Sequence, residues 1–409
     1  MKKDWEIKKL GEICTIQLGK TPYRQNPKFW DKEKISGNVW LSISDLKHGE
    51  YISKSAEQIS DLGAKDVVKI PQGTILLSFK LTLGRVSFAG CDLFTNEAIA
   101  SLLNLRSEIS KEFLFYYFSF FDWDKVTEGD IKVKGKTLNK KKLNDLEILI
   151  PPLPEQRRIV SVLDKCFTAI DKAKTNAEQN LKNAKELFES YLQGVFENGK
   201  DWEVRKLKDI ALVFGRGKSK HRPRNWEGLF GGKYPFIQTG EVRNANKFVS
   251  EYIQTYNEVG LAQSKLWAKG TICITIAANI AETAILGFDA CIPDSIIGLQ
   301  VNPKKADLDF TYYLLQYFKA ELQKLGKGSA QDNINLGTFE NQFFPFPPLQ
   351  TQQTIVHQLD ALKSETQKLE TVYKKNLSDL AELKKSILHE VFSGKMSESG
   401  FTGLEDLQD

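Results

Sequence analysis

The chain repeats its own sequence pattern at a distance of ~197 residues. Residues 4–10 read DWEIKKL and residues 201–207 read DWEVRKL. Because solenoid repeats recur every ~20–50 residues, so long a period indicates two similar globular domains, each followed by a further segment, with an internal pseudo-two-fold repeat. The other matches are GTI at 73–75 and 270–272, PPL at 151–153 and 347–349, and VF at 195–196 and 391–392.

A length of 409 residues agrees with two cores, since a single core rarely grows beyond about 250–300 residues. Apolar runs at 75–79 and 271–276 predict buried strands, and aromatic runs at 113–121 and 310–318 predict one helix in each copy. The predicted fold class is therefore α+β, with two similar domains built from short-strand sheets and helices. The predicted boundaries are 1–150 and 199–346 for the domains, 151–198 and 347–396 for two helical regions, and 397–409 for a C-terminal tail.

Each helical region carries mostly apolar residues at alternating steps of three and four, which is typical of helices that pair along one seam. One register shift near 173–177 interrupts the pattern in the first region. At roughly 42 residues and 1.5 Å per residue, each helix would be about 60 Å long. Because no long linker is available for a return, we expect the second helix to run antiparallel to the first, as a coiled-coil spacer separating the domains. The alternative is that each helix packs on its own domain. The predicted seam contains Ile159, Val162, Leu181 and Phe188, with Ala169, Ala173 and Ala177, in the first helix and Leu359, Leu362, Leu369, Tyr373, Leu380 and Ile387 in the second.

Charge and composition exclude several function classes. Lys+Arg outnumber Asp+Glu by 24 to 20 in residues 1–150 and by 19 to 15 in residues 199–346, a mild excess that is compatible with a polyanionic partner. No uninterrupted apolar run is long enough to span a membrane, and no apolar segment typical of a signal peptide follows the N-terminus. Five cysteines without CxxC spacing and four scattered histidines predict free thiols in a reducing cytoplasm and no metal centre.

Motifs for catalysis are incomplete. GKT at 19–21 and 135–137 and GKS at 217–219 lack the glycine that a P-loop places five positions earlier. An Asn/Asp-Pro-Pro-aromatic motif for adenine methylation is absent, since both Pro-Pro pairs precede leucine. The Pro-Asp pair that ends at Asp294 has no nearby carboxylates and lysine to complete a nuclease metal site. The chain is therefore predicted to be a non-catalytic reader.

Polar loops carry the residue types that contact nucleic acids, because Arg, Lys, Asn, Gln and Ser reach phosphates and base edges and glycine allows close backbone approach. These loops lie at 19–26 and 132–142 in the first copy and at 217–226 and 324–333 in the second. The alternative is an ordinary solvated loop. The candidate DNA-binding residues are Lys20, Arg24, Gln25, Arg85, Lys134, Lys136, Asn139, Lys218, Lys220, Arg222, Arg224, Asn279, Lys327, Ser329, Gln331 and Asn333.

The start of the first helical region, PPLPEQRRIV at 151–160, resembles the specificity subunit of type I restriction–modification systems. The second copy, PPLQTQQTIV at 347–356, departs from that pattern with Thr351 where the first copy has Glu155. The resemblance covers nearly the whole chain. It includes the domain openings WEIKKLGEI at 5–13 and WEVRKLKDI at 202–210, and GSAQDNI at 328–334.

This resemblance implies two target recognition domains that alternate with two helical regions. Each domain would read one half of a bipartite site in double-stranded DNA, and the helices would set the unread gap between the halves. Two methylation subunits that bind S-adenosylmethionine and modify adenine N6, and restriction subunits that use ATP and Mg, would be the partners, so this chain itself would hold no cofactor. Because the polar loops differ between the copies, we expect two unlike half-sites.

Two other interpretations remain open. The chain could be the specificity subunit of a fused system, in which one partner polypeptide both methylates and cleaves; neighbouring genes would distinguish this arrangement. It could instead be a coiled-coil scaffold that binds protein without DNA specificity. Since contacts with phosphates release counterions, salt-dependent affinity for duplex DNA separates a DNA reader from a scaffold.

Overall fold

In the computed structural model, which describes residues 4–47, 51–126, 131–132, 135–277, 280–327 and 336–393, each repeat folds into short strands and helices followed by one long helix. The first long helix is Leu153–Glu197, with 45 residues, and the second is Leu349–Phe392, with 44 residues. The strands of the first domain are Glu6–Lys9, Thr15–Leu18, Val39–Leu41, Tyr51–Ile52, Glu57–Gln58, Ile75–Ser78, Lys80–Leu81, Val86–Ala89, Phe94–Thr95, Ile99–Leu103, Ile131–Lys132, Gly135–Thr137 and Glu147–Ile150. Its helices are Leu10–Ile13, Asp61–Ala64, Lys111–Phe120, Trp123–Val126 and Lys140–Asn144, with 3-10 turns at Pro27–Phe29 and Ile43–Asp45.

The second domain has a closely similar order of elements. Its strands are Glu203–Lys206, Ala211–Arg216, Phe230–Phe236, Phe248–Val249, Gln254–Tyr256, Leu266–Trp267, Ile272–Thr275, Thr283–Leu286, Ala290–Cys291, Ile296–Val301 and Phe343–Phe346. Its helices are Thr239–Asn244, Glu258–Ala262, Leu308–Lys327 and Leu336–Asn341, with 3-10 turns at Leu207–Ile210 and Glu227–Leu229. The predicted mixture of short strands and helices in two copies is confirmed.

A five-stranded sheet lies at the centre of each domain and has the same topology in both. Ile99 lies opposite Ser78 in the first sheet, and Ile296 lies opposite Thr275 in the second, which is the same pairing 197 positions further along the chain. Neighbouring strands are antiparallel except for the last pair, which is parallel. The strand orders are Thr15–Leu18, Ile99–Leu103, Ile75–Ser78, Val86–Ala89, Tyr51–Ile52 and Ala211–Arg216, Ile296–Val301, Ile272–Thr275, Thr283–Leu286, Phe248–Val249.

The central strand of each sheet follows a turn that requires glycine. Gly73 has φ +82° and Gly270 has φ +81°, and this left-handed region is costly for residues with a Cβ. The Gly73 N–H donates to the Ala89 carbonyl at 2.7 Å, and the Gly270 N–H donates to the Leu286 carbonyl at 2.8 Å. The strands that follow are buried at every position, as their unbroken apolar runs predict.

A buried glutamine in the first turn of each long helix joins the helix to its domain. The Gln156 side chain is fully buried, and its Oε1 accepts a hydrogen bond from the Ser110 N–H at 2.8 Å. Its Nε2 donates to the carbonyls of Glu108 at 2.9 Å and Pro151 at 2.8 Å. Gln352 is buried in the same way in the second copy. The amide therefore fixes the direction in which each helix leaves its domain.

The long helices pack on the cores of the domains as well as on each other. One compact unit comprises Met1–Ala177 and Lys375–Asp409, and the other comprises Glu178–Lys374. In the first unit, Ile159 and Val162 lie in the same apolar core as the aromatic helix Lys111–Phe120. Packing on the domain, the alternative raised by the sequence, therefore describes the first turns of this helix.

Contacts within the second compact unit show the direction of the two helices. The Tyr191 hydroxyl donates to Gln358 Oε1 at 3.2 Å, and the Lys363 ammonium lies 5.9 Å from the centre of the Phe188 ring. One helix descends from 191 to 188 as the other ascends from 358 to 363, so the predicted antiparallel arrangement is confirmed.

Burial along the predicted seam is uneven. Leu369 is 41% exposed, and Ala169 and Ala173 are exposed whereas Ile170 is buried. An α-helix has 3.6 residues per turn, so a buried stripe drifts from a strict heptad seam by about 20° per heptad. The other predicted seam residues divide into Ile159, Val162, Ala177, Leu359 and Ile387, which are buried, and Leu181, Phe188, Leu362, Tyr373 and Leu380, which are half-buried.

An acidic residue about two turns after Gln352 in the second long helix makes a further contact with its domain. Asp360 accepts hydrogen bonds from the Lys247 ammonium at 2.8 Å and from the Tyr313 hydroxyl. Burial acts to raise the pKa of Asp360, but the hydrogen bonds from Lys247 and Tyr313 and the positive charge of Lys247 bring it below its ordinary value of 3.8. The charged carboxylate therefore stabilises the folded state.

We expect the contribution of Asp360 to depend on pH. A carboxylate whose pKa is lower in the folded state stabilises the fold above its unfolded pKa of about 3.9, and this contribution is lost as the pH falls through the folded value. Urea unfolding of D360N and of the unsubstituted chain should therefore give midpoints that differ clearly at pH 7, begin to converge near pH 4 and coincide only below the lowered pKa of Asp360 in the folded state. D379N, at an exposed position of the same helix, should leave the midpoint unchanged at both pH values. A D360N deficit that stayed constant with pH would contradict the electrostatic origin.

None of the helices in the described ranges is long and apolar enough to cross a membrane. All five cysteines are free thiols, and four of them are buried. In the part of the chain that the structure describes, no group of three or more His, Cys, Asp or Glu side chains could hold a metal ion.

Candidate nucleic-acid interface

A polar loop leaves the central sheet of the first domain from a tightly packed starting point. The Gly19 N–H donates to the Ile99 carbonyl at 3.2 Å, and the Lys20 N–H donates to the Thr95 carbonyl at 2.8 Å. A Cβ on Gly19 would lie 2.1 Å from the Thr95 carbonyl oxygen and 2.3 Å from that of Asn96. Only glycine therefore fits at the start of this loop.

The second domain reproduces the same starting point. The Gly217 N–H donates to the Ile296 carbonyl at 2.8 Å, and the Lys218 N–H donates to the Ile292 carbonyl at 3.1 Å. A Cβ on Gly217 would lie 2.2 Å from the Ile292 carbonyl oxygen and 2.3 Å from that of Pro293. In each domain the loop backbone therefore packs against the equivalent turn of its own sheet.

The far end of each loop is anchored as well. The Ser60 N–H donates to the Phe29 carbonyl at 3.0 Å, and a Cβ on Gly63 would lie 2.3 Å from the same oxygen. We call residues 19–29 the first anchored loop and residues 217–229 the second anchored loop, which is two residues longer. The second domain has matching contacts. The Asn257 N–H donates to the Leu229 carbonyl at 3.0 Å, and a Cβ on Gly260 would lie 2.4 Å from the same oxygen.

The first anchored loop presents an arginine on an aromatic platform. The Arg24 guanidinium lies 4.1 Å from the centre of the Trp30 ring and 4.8 Å from that of Trp40, and it donates to the Glu57 carboxylate at 2.6 Å. Tyr23 beside it is 64% exposed, and its hydroxyl donates to Gln25 Oε1 at 2.8 Å. Stacked guanidinium groups and exposed aromatic rings suit contact with phosphates and bases.

Arginines in and next to the second anchored loop surround one aspartate. Arg224 donates to Asp294 Oδ2 at 2.6 Å, and an Arg222 nitrogen lies 3.7 Å from the same oxygen. Arg216 donates to the Asp294 backbone carbonyl at 2.7 Å. The Arg222 and Arg224 side chains are about half exposed. We call Arg216, Arg222, Arg224 and Asp294 the arginine–aspartate cluster.

Lysines extend this positive surface. Lys218 and Lys220 are exposed, and the Lys265 ammonium lies 3.8 Å from the centre of the Trp267 ring. Burial, and secondly the charge of Lys218, lower the pKa of Lys265. Positive groups are therefore crowded enough to affect one another, which favours a polyanionic ligand on this side of the second domain.

A cleft of about 510 Å³ opens beside the arginine–aspartate cluster. Gln238 and Gln254 meet in it, with Gln238 Nε2 donating to Gln254 Oε1 at 2.9 Å. Amide groups can donate to and accept from base edges at once. This pair could not be predicted from the sequence, because it depends on the pairing of the strand Phe230–Phe236 with Gln254–Tyr256. The cleft is lined by Ser219, Arg224, Asn225, Glu227, Phe230, Phe236, Gln238, Thr239, Gln254, Pro293 and Ser295.

Two predicted DNA-binding residues use their side chains inside the first domain. Arg85 donates to the carbonyls of Ile43 at 3.1 Å and Leu46 at 3.4 Å. Asn139 Oδ1 accepts the Lys142 N–H at 2.8 Å and caps a short helix. Their contact with DNA stays a prediction.

The remaining predicted residues are only partly described. Lys20 and Gln25 are exposed in the first anchored loop. Lys136 lies in the strand Gly135–Thr137 and Lys327 ends the helix Leu308–Lys327. The residues outside the described ranges are Lys134, Asn279, Ser329, Gln331 and Asn333.

The model of the type I restriction modification DNA specificity domain matches this chain twice, over residues 2–182 and 199–378. The chain belongs to this family. The predicted identity as a DNA specificity subunit of a type I restriction–modification system is thereby confirmed, and so is its classification as a recognition protein without catalytic function. Neither the fused system nor the protein-binding scaffold is favoured.

Similarity to individual proteins extends over most of the chain. The type I restriction enzyme MjaIX specificity subunit of Methanocaldococcus jannaschii is 26% identical over 385 residues, covering 85% of this chain and 84% of the relative. The crystal structure of the HsdS subunit from Thermoanaerobacter tengcongensis is similar, with a TM-score of 0.61 at 19% identity, covering 96% of this chain and 98% of that chain.

A chain solved in a study of complex assembly and conformational transition of the type I R-M system is also similar, with a TM-score of 0.76 at 20% identity. The similarity covers 95% of this chain and 98% of that chain. At this identity the solved structures show a shared fold. The family therefore has the architecture that the internal repeat predicts.

Proposed function

We propose that each domain of this specificity subunit reads one half of an asymmetric bipartite site in double-stranded DNA through its anchored loop. The observation that carries this proposal is the contrast between fixed loop ends and variable loop contents. The glycine anchors at Gly19 and Gly217 are the same in both domains, whereas the loops between the anchors differ in length and sequence. Because the two loops have the same anchors but different side chains, we expect two unlike half-sites.

The two long helices set the unread gap between the halves in this proposal. Two methylation subunits would dock on the chain, bind S-adenosylmethionine and modify adenine N6, and restriction subunits would use ATP and Mg. Modification of a base requires its extrusion from the duplex, so the specificity subunit would hold the DNA on both sides of the target. The complex would act in the cytoplasm, where it meets chromosomal DNA.

Sequencing of methylated adenines in host DNA, with and without this chain, tests the proposal. We expect one bipartite motif with two unlike halves and a constant gap, which disappears when the gene is deleted. A palindromic motif would contradict the asymmetry, and a methylation pattern that did not depend on the chain would contradict the proposed function altogether.

A further inference from the structure

We propose that Asp294 is a specificity-determining residue, because its ion pairs with the arginines of the second anchored loop weaken the binding of these arginines to non-specific DNA. The inference rests on the proposed function of that loop. It begins from the arginine–aspartate cluster. The Asp294 carboxylate lies next to Arg222 and Arg224, and the Asp294 backbone carbonyl accepts a hydrogen bond from Arg216. Three guanidinium groups therefore converge on one residue of the sheet turn.

The geometry of Asp294 is better suited to neutralising the charge of the nearby arginines than to stabilising the fold. Its side chain is 28% exposed, and its Oδ1 is buried with no hydrogen-bond partner among the described residues. A carboxylate kept for stability would be expected to satisfy both oxygens, because an unpaired buried acceptor costs free energy. What Asp294 supplies instead is one negative charge next to Arg222 and Arg224.

The ion pairs are also placed where a phosphate can compete for them. The Arg222 and Arg224 side chains are 56% and 53% exposed, and exposed ion pairs are weak. A DNA phosphate that approaches these arginines meets a group already paired and a carboxylate that repels it. Non-specific binding depends almost wholly on phosphate contacts, whereas specific binding adds base contacts. The carboxylate therefore weakens non-specific binding proportionally more.

The first domain offers a matched position without the arginines. Glu97 occupies the equivalent place, 197 residues earlier, and its carboxylate accepts from the Thr21 hydroxyl. The arginine of the first anchored loop, Arg24, pairs instead with Glu57. Removal of the Glu97 charge therefore changes the net charge by the same amount as removal of the Asp294 charge but releases no guanidinium group.

The binding test uses D294N and E97Q in the full chain with a random-sequence 30-base-pair duplex. We expect D294N to bind about 3- to 10-fold more tightly at low salt and to steepen the slope of log affinity against log salt by about 1, the value for one further phosphate contact. E97Q should leave the slope unchanged, and R224A combined with D294N should return it to the original value. Equal slopes for D294N and the unsubstituted chain would overturn the proposal.

The specificity test uses the assembled complex and sequencing of methylated adenines. D294N should still methylate the original motif, which shows that it is folded, and should add sites that differ in one half of the motif only. Relaxation of both halves, or of neither, would overturn the role of Asp294. A complex of the unsubstituted chain that produced no bipartite motif would instead contradict the proposed function, so the two failures are distinguishable.

Discussion

Replacement of Gly217 with alanine is expected to abolish reading of one half-site. The new Cβ would lie 2.2 Å from the Ile292 carbonyl oxygen and 2.3 Å from that of Pro293, and both are backbone atoms that cannot rotate away. The start of the second anchored loop must therefore move off the sheet turn. The hydrogen bonds that Gly217 and Lys218 make there would be lost. Each mismatched base pair costs about 1–3 kcal/mol, so loss of a whole set of base contacts should lower the rate of methylation at the motif by about 100-fold or more.

Gly215 provides a control two positions earlier. A Cβ at Gly215 would meet no atom within 4 Å, so G215A should methylate at nearly the original rate. Initial rates of methyl transfer to a duplex that carries the motif, measured with the assembled complex, give the comparison. Similar rates for G217A and G215A would show that close packing at Gly217 does not position the second anchored loop.

The repeat explains why so much of this fold can be predicted from sequence. Signals that lie within a few residues, such as the glycine turns at Gly73 and Gly270 and the apolar strands after them, recur in both copies and specify local structure. The paired prolines similarly mark the start of both long helices, Leu153–Glu197 and Leu349–Phe392. Local backbone preferences and continuous apolar runs determine these features.

The candidate interface is less predictable because its residues meet only in the folded chain. Arg224 and Asp294 are 70 residues apart, and Gln238 meets Gln254 only through the pairing of two strands. Cationic residues in loops could be named from the sequence, but the carboxylate that faces them could not. In the first copy Arg24 pairs with Glu57, although the repeat alone suggests Glu97. The arginines of the two loops are therefore paired with acidic residues at different positions, although the surrounding folds are similar.

The predicted seam shows a further limit. Ala169 and Ala173 fit the spacing of three and four, yet Ile170 is the buried residue. Ile170 is buried in the same apolar core as Ile387 of the second long helix, and the Lys384 ammonium of that helix lies 4.6 Å from the centre of the neighbouring Phe167 ring. The first long helix therefore contacts both its domain and the second helix here. Two contact surfaces bury a wider stripe than a single helix seam, so heptad spacing alone misplaces the contact surface.

Replacement of Gln352 with leucine is expected to lower the stability of the second domain strongly. Gln352 is 1% exposed. Its Oε1 accepts the Asp307 N–H at 2.8 Å, and its Nε2 donates to the Pro347 carbonyl at 2.7 Å. Leucine has a similar volume but leaves both backbone groups buried without partners. Since each such group costs about 1–3 kcal/mol, we expect a loss of roughly 2–5 kcal/mol in the free energy of unfolding.

The neighbouring Gln353 is the control, because it carries the same side chain on the same helix but is exposed. Q353L should change the free energy of unfolding by less than about 0.5 kcal/mol, as exposed substitutions generally do. Urea unfolding of both variants, followed by circular dichroism, measures the difference. Q156L should behave as Q352L does, since Gln156 makes the corresponding contacts in the first domain and one more, to the Glu108 carbonyl. If Q352L unfolded at the same urea concentration as Q353L, the buried amide would not be what joins the helix to its domain, and the direction of the helix would have to depend on apolar packing alone.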